Sequence, residues 1–264
     1  MPTLAARLAR PRPLRWALAL LLAALSLPAA ARSFTACAEP GDGPPLLYRS
    51  PNQPALLLGF TAEFWPLLFR GMGHELRLVD LPFKRCLHAV STGEVDFVLG
   101  AYRDPERERT LVFSVPVRTL TPQVFFRRDR PLALRGRADL KRWHGCGMAG
   151  SSYAHYGLAP GDLDQGARSY RTLMEKLMLG RCDYIVEELE VVQRLGLGPV
   201  DYLAQPWLDH GPVPDAPAPT IHVAAAQGGA AAALMPALDA AFARAQKSGE
   251  LMRVWRRHAG DLPF

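Results

Sequence analysis

"GEVDFVLGAYRDPERERTLVFSVP", residues 93–116, decides how the chain is read. Its first part, "VDFVLGAY", is an apolar run of strand length. Six charged side chains then fill the seven positions from Arg103 to Arg109, and a second apolar run closes the stretch. Upstream, "HELRLVDLP" reads as a strand and "FKRCLHAVSTGE" as a helix ending near Gly93. Before these, "GFTAEFWPLLFRGMG" sets Phe60, Phe64, Leu67, Leu68 and Met72 at helical spacing, with Pro66 either in the first turn or kinking the helix. A short strand over Ser33–Ala38 and the turn-rich "EPGDGPP" begin this part of the chain. Strand, helix, strand, helix, strand is the alternation of an α/β fold with a parallel sheet.

The same grammar returns after Pro116. "TPQVFFRR" reads as a strand, "ADLKRWHGCGMAG" as a helix-to-strand passage, "RTLMEKLMLGR" as a helix and "CDYIVEEL" as a strand. "STGEVDFVLGAY" (91–102) and "MLGRCDYIVEEL" (178–189) share a glycine stop, a charge, a small residue, an Asp and an apolar strand, which predicts two similar α/β lobes. The proline-rich "DHGPVPDAPAPT" (209–220) reads as a connector and not as a folded element. "IHVAAAQGG" follows as a strand, then two helices, the last of them amphipathic with Leu251, Val254 and Trp255 on one face.

Residues 1–31 carry an export signature: Arg7, Arg10, Arg12 and Arg15, then an apolar run from Trp16 to Leu27, then Ala29-Ala30-Ala31. The run falls short of the roughly twenty residues a bilayer span needs, so cleavage near Ala31 is expected; lipid attachment at Cys37 is the alternative. Losing those four arginines and no acids lowers the formal charge from +6 to +2, which removes the electrostatic ground for nucleic-acid binding. Export also implies an oxidising compartment. The four cysteines, 37, 86, 146 and 182, therefore read as two disulfides in one of three pairings, or as buried free thiols. The seven histidines show no metal-ligand spacing beyond His144-Gly145-Cys146, so neither a metal nor a cofactor is expected. The sequence lacks the Gly-x-Ser-x-Gly, phosphate-loop and His-Glu-x-x-His signatures of common enzymes.

In order along the chain, "GF" (59–60), "GEVDFVLGAYRDPERERTLVFSVP", "AGSSY" (149–153), "GRCD" (180–183) and "SGEL" (248–251) resemble the bacterial extracellular solute-binding proteins of family 3, periplasmic receptors of the polar amino-acid class. The resemblance implies a two-lobed type II periplasmic-binding-protein fold, with lobe one at 33–116 plus 221–264, lobe two at 117–220, and two hinge crossings. It pairs Cys37 with Cys86 and Cys146 with Cys182. It implies no catalytic residue and a ligand set in the cleft: Arg107 as the carboxylate fork, Ser151 beside Gly150 as a second carboxylate donor, and Glu188 as the ammonium acceptor. Phe83 and Tyr102 would form an aromatic wall. A planar guanidinium suits this task because it presents two parallel donors to a carboxylate.

Asp104 stands where the family usually has Thr, and Tyr102 where it has a hydroxyl residue two positions earlier. These departures leave the solute open between a more cationic amino acid and a compound of another class. The implied partners are a small polar solute and an inner-membrane ABC permease, with the receptor acting as a monomer in the periplasm. Two other functions compete: a periplasmic dehydratase or lyase on the same fold, and an accessory or sensor module with a vestigial cleft.

Overall fold

The computed structural model describes residues 31–41, 44–195 and 199–264; the expected export segment lies outside these apart from Ala31, as does part of the "EPGDGPP" turn. In chain order the first strands and helices are β1 (Ser33–Ala38), β2 (Tyr48–Arg49), β3 (Leu57–Leu58), α1 (Phe60–Gly71), β4 (Glu75–Asp80), α2 (Phe83–Ser91), β5 (Phe97–Tyr102), β6 (Leu111–Phe113) and β7 (Arg118–Thr119). Then come β8 (Pro122–Arg127), β9 (Gly145–Met148), β10 (Leu163–Ala167), α3 (Tyr170–Met178), β11 (Tyr184–Glu188) and α4 (Leu189–Leu195). The chain closes with β12 (Leu208–Pro212), β13 (Thr220–Ala226), α5 (Ala230–Lys247) and α6 (Glu250–Ala259). Pro66 lies inside α1, beyond its first turn.

Two large sheets result, ordered β4-β1-β5-β13-β6, with β7 also paired to β13, and β10-β9-β11-β8-β12; β2 and β3 form a separate two-stranded sheet. Neither large sheet is purely parallel, contrary to the expectation from alternation. β1 runs parallel to β4 and β5, and β9 parallel to β10 and β11, while β13 and β8 run antiparallel to their neighbours. A parallel neighbour requires a crossover connection. β8 and β13 enter their sheets directly from the inter-sheet crossings and need none.

The predicted connector over 209–220 is also corrected. Its first residues belong to β12, which pairs with β8 from Leu208 opposite Arg127 to Pro212 opposite Gln123. β12 is an edge strand, where a proline's missing N–H breaks no ladder bond.

Each sheet buries its own cores. Phe34, Phe64, Phe69, Phe97 and Trp255 gather between the first sheet and helices α1, α5 and α6, with Trp255 fully buried. Leu173, Met174, Leu177 and Ile185 do the same beneath α3 on the second. The repeated motif has one mechanical meaning in both. Asp96 accepts hydrogen bonds from Thr35 N (2.8 Å) and Thr35 Oγ1 (2.9 Å), and Asp183 accepts one from His144 N (2.9 Å). In each case the carboxylate ties the central strand to the segment carrying its parallel neighbour.

The two crossings run side by side as an antiparallel ribbon, with Arg118 opposite Ile221 and Thr119 opposite Thr220. Val117 N donates to Ile221 O (2.8 Å) and Leu120 N to Pro219 O (2.9 Å). A ribbon this narrow constrains the sheets far less than the ladders within them.

The disulfides follow the implied pairing. Cys37 of β1 joins Cys86 of α2 (Cα–Cα 5.5 Å), and Cys146 of β9 joins Cys182 before β11 (5.8 Å). The second closes a loop of 36 residues. Replacing both its cysteines by alanine is expected to lower unfolding stability by up to about 4 kcal/mol on chain-entropy grounds, measured by urea titration against the parent protein.

Candidate functional site

β5 and β11, the repeated central strands, end facing each other across the gap between the sheets. Every residue of β11 is buried, including its last two, Glu187 and Glu188. Glu188 is 1% exposed and fully engaged: Tyr102 Oη from the first sheet donates to Oε2, His155 Nε2 lies 2.9 Å from Oε1, and Tyr156 Oη lies 3.4 Å from Oε1. Burial alone would raise this carboxyl. Hydrogen bonds from His155, Glu187 and Tyr102, with the His155 charge, outweigh it and hold Glu188 down at about 2. Burial and the adjacent Glu188 charge push Glu187 well above the usual carboxylate range, so that it holds its proton against Glu188 while accepting from the Tyr170 hydroxyl and from Glu188 N (3.1 Å). The two acids are driven apart because more donors, and the His155 charge, converge on Glu188 than on Glu187.

The charged turn resolves differently. Arg107 opens a 3₁₀ turn (Arg107–Arg109) that Asp104 organises by accepting from Arg107 N at 2.9 Å. Nε of Arg107 is 3.3 Å from Asp104 Oδ2, Nη1 donates to Tyr102 O (2.9 Å), and Nη2 reaches Gly150 O of the second half (3.2 Å). Its guanidinium also sits 5.7 Å from the Phe83 ring centroid. Gly150 has φ +83°, and a Cβ there would stand 3.1 Å from Lys84 Cβ of α2, so the two halves meet here through a position that favours glycine twice over.

Between the halves lies a cavity of about 310 Å³. Four of the expected site residues line it: Phe83, Tyr102, Ser151 and Glu188. Arg107, Asp104 and Gly150 are not among its lining and form the clasp described above. Asp104, the acid that suggested a more cationic solute, is thus occupied by Arg107. Ser151 follows β9 in a turn leading to a three-residue 3₁₀ helix (Ala154–Tyr156) and not to an α-helix.

Residues 37–261 match the bacterial extracellular solute-binding proteins, family 3. The chain belongs to this family. Its fold is that of the type II amino-acid-binding proteins. It superposes on the substrate-binding protein of an amino acid ABC transporter with a TM-score of 0.67 at 20% identity, covering 85% of this chain and 98% of that one. It is similar to the arginine-, lysine-, histidine-binding protein ArtJ from Geobacillus stearothermophilus (TM-score 0.69, 15% identity, 88% and 96% covered). It is also similar to a histidine kinase sensor domain with similarity to periplasmic binding proteins (0.69, 21%, 87% and 97%). At these identities the likeness establishes the fold. No curated protein matched the chain.

Within the family 3 framework, the cavity lining includes charged and phenolic residues that the sequence reading did not assign to the site, among them Arg118, Tyr170 and Arg194. Only Arg118 left a trace, as a cation in the otherwise uncharged crossing "SVPVRTLTP". His144, Cys146 and Asp164 approach one another within 4.8 Å, but the Cys146 sulfur is bonded to Cys182 and offers no metal ligand.

The two acids carry opposite pH signatures. Glu188 supplies stability that is present at neutral pH and lost as pH falls toward about 2. Glu187, raised by burial, favours the folded state most at acidic pH and progressively less as pH climbs above the ordinary carboxylate range. Glu187→Gln is therefore expected to flatten the decline in urea midpoint between weakly acidic and weakly basic buffer. Glu188→Ala, which leaves Tyr102 and His155 without their acceptor, is expected to cost about 3 kcal/mol. An unchanged pH slope in Glu187→Gln contradicts the assignment of the neutral acid.

Proposed function

We propose that the protein is a periplasmic receptor that captures a small polar solute, an amino acid or similar zwitterion, in the inter-sheet cavity and delivers it to an inner-membrane ABC permease. The observation that carries this reading is the cavity between two α/β sheets that the chain links through the narrow β7–β13 ribbon and its flanking crossings. That arrangement suits hinge closure. The lobes are residues 33–116 with 221–264, and 117–220. The protein works as a monomer, without cofactor, metal or catalysis.

In this reading Phe83 and Tyr102 pack against the solute, Ser151 donates to it and Glu188 sets the polarity of the acidic wall. Arg107 exchanges its bond to Gly150 O for a solute carboxylate, a stronger acceptor for a guanidinium than a peptide carbonyl. Arg107→Ala is expected to abolish ligand-induced thermal stabilisation while leaving the unliganded protein folded. A saturating solute at a hundredfold excess over its dissociation constant stabilises the parent protein by about 2.7 kcal/mol; an unchanged ligand response in the variant sinks the assignment of Arg107.

The sensor-domain neighbour supports a second reading, in which cleft occupancy is passed to a partner protein and not to a permease. Recovery of solute uptake in a receptor-deletion strain separates the two. Conversion of the solute by the purified protein would instead indicate an enzyme.

A further inference from the structure

Arg118, in the first crossing, is 5% exposed, and its Nε, Nη1 and Nη2 have no hydrogen-bond partner among the described residues. Arg194, at the end of α4, is half-buried, and its Nη1 is likewise enclosed and unpaired. Both residues line the cavity. A buried donor without an acceptor costs free energy, and a buried charge without a counter-charge costs more. Cation–π contacts with Trp255 and Phe264, whose ring centroids lie 5.2 and 5.0 Å from the Arg118 guanidinium carbon, offset part of that cost. They supply no acceptor for the N–H groups.

Ionisation does not relieve the site. Burial, with the nearby Arg194 charge, pushes Arg118 down only to about 9, so it remains charged at neutral pH. Nor do the acids of the cavity neutralise the pair. Glu188 has both oxygens occupied by Tyr102, His155 and Tyr156. Glu187 accepts from Glu188 N (3.1 Å) and Glu39 from Phe83 N (3.1 Å), and Glu190, whose charge reaches both arginines, accepts from Thr121 N (2.9 Å) and Thr121 Oγ1 (2.7 Å). A cationic side chain entering the cavity would meet acids already engaged in hydrogen bonds and two guanidinium groups that the Glu190 charge offsets only in part. A second anionic group on the solute would find unpaired donors.

We infer that the cavity takes a small dicarboxylate, with one carboxylate received by Arg118 and Arg194 on the crossing side. This deepens the receptor reading above and rests on it. Arg118 and Arg194 are then specificity-determining residues, distinct from the clasp made by Arg107.

The test is a thermal-shift and calorimetric titration of the folded protein with succinate, malate, aspartate and glutamate, set against glutamine, lysine and arginine. The dicarboxylates are expected to bind most tightly. Arg118→Met is expected to weaken them roughly ten- to hundredfold, the ratio associated with a charged hydrogen bond, and to raise the melting temperature of the unliganded protein by removing an unpaired buried charge. Glutamine, lysine or arginine binding as tightly as the dicarboxylates overturns the inference and leaves the receptor reading standing. No response to any member of the panel overturns both. If Arg118→Met lowers the melting temperature and retains dicarboxylate affinity, the arginine only braces Trp255 and Phe264, and the inference fails.

Discussion

A buried carboxylate bonds the two halves of the molecule to each other where their central strands end. Glu188 ends the central strand of one sheet and receives a hydrogen bond from Tyr102, which ends the central strand of the other. Its remaining oxygen faces His155 and Tyr156 from its own half. An ionised acid at 1% exposure persists only where donors surround it, and here some of those donors come from across the cleft. Separation of the sheets would strand Glu188 without the Tyr102 hydroxyl.

Charge around the cleft is unevenly satisfied. On the acidic side each group is neutral or bonded, and the Arg107 clasp is complete, with Asp104, Tyr102 O and Gly150 O meeting its nitrogens. On the crossing side Arg118 and Arg194 retain unpaired donors. The imbalance sits beside the ribbon that joins the sheets.

Much of the fold was legible in local pattern. The apolar strands, the Gly-stop followed by Asp, and the amphipathic last helix are short-range features, and the structure places them where periodicity implied. Asp96 and Asp183 even perform the same task in both sheets. Strand direction was less accessible, because β8 and β13 owe their antiparallel pairing to the path of the crossings and not to their own residues. β12 was hidden by Pro212 and the proline-rich run after it, and an edge position tolerates Pro212. For the candidate site, Phe83, Tyr102, Ser151 and Glu188 could be placed at the cavity from motif register, whereas the clasp around Arg107 required the position of Gly150, forty-three residues further along the chain.

The sequence by itself determined which residues are apolar, where most strands and helices form, and that four cysteines were available for an oxidising compartment, because these depend on neighbours along the chain. Tertiary structure alone decided which of two adjacent glutamates carries charge, since Glu187 and Glu188 differ only in the donors that folding brings to them. It also decided which arginines remain unpaired. Arg107 and Arg118 are chemically identical, and only the packing of distant segments gives one its acceptors and leaves the other without any among the described residues.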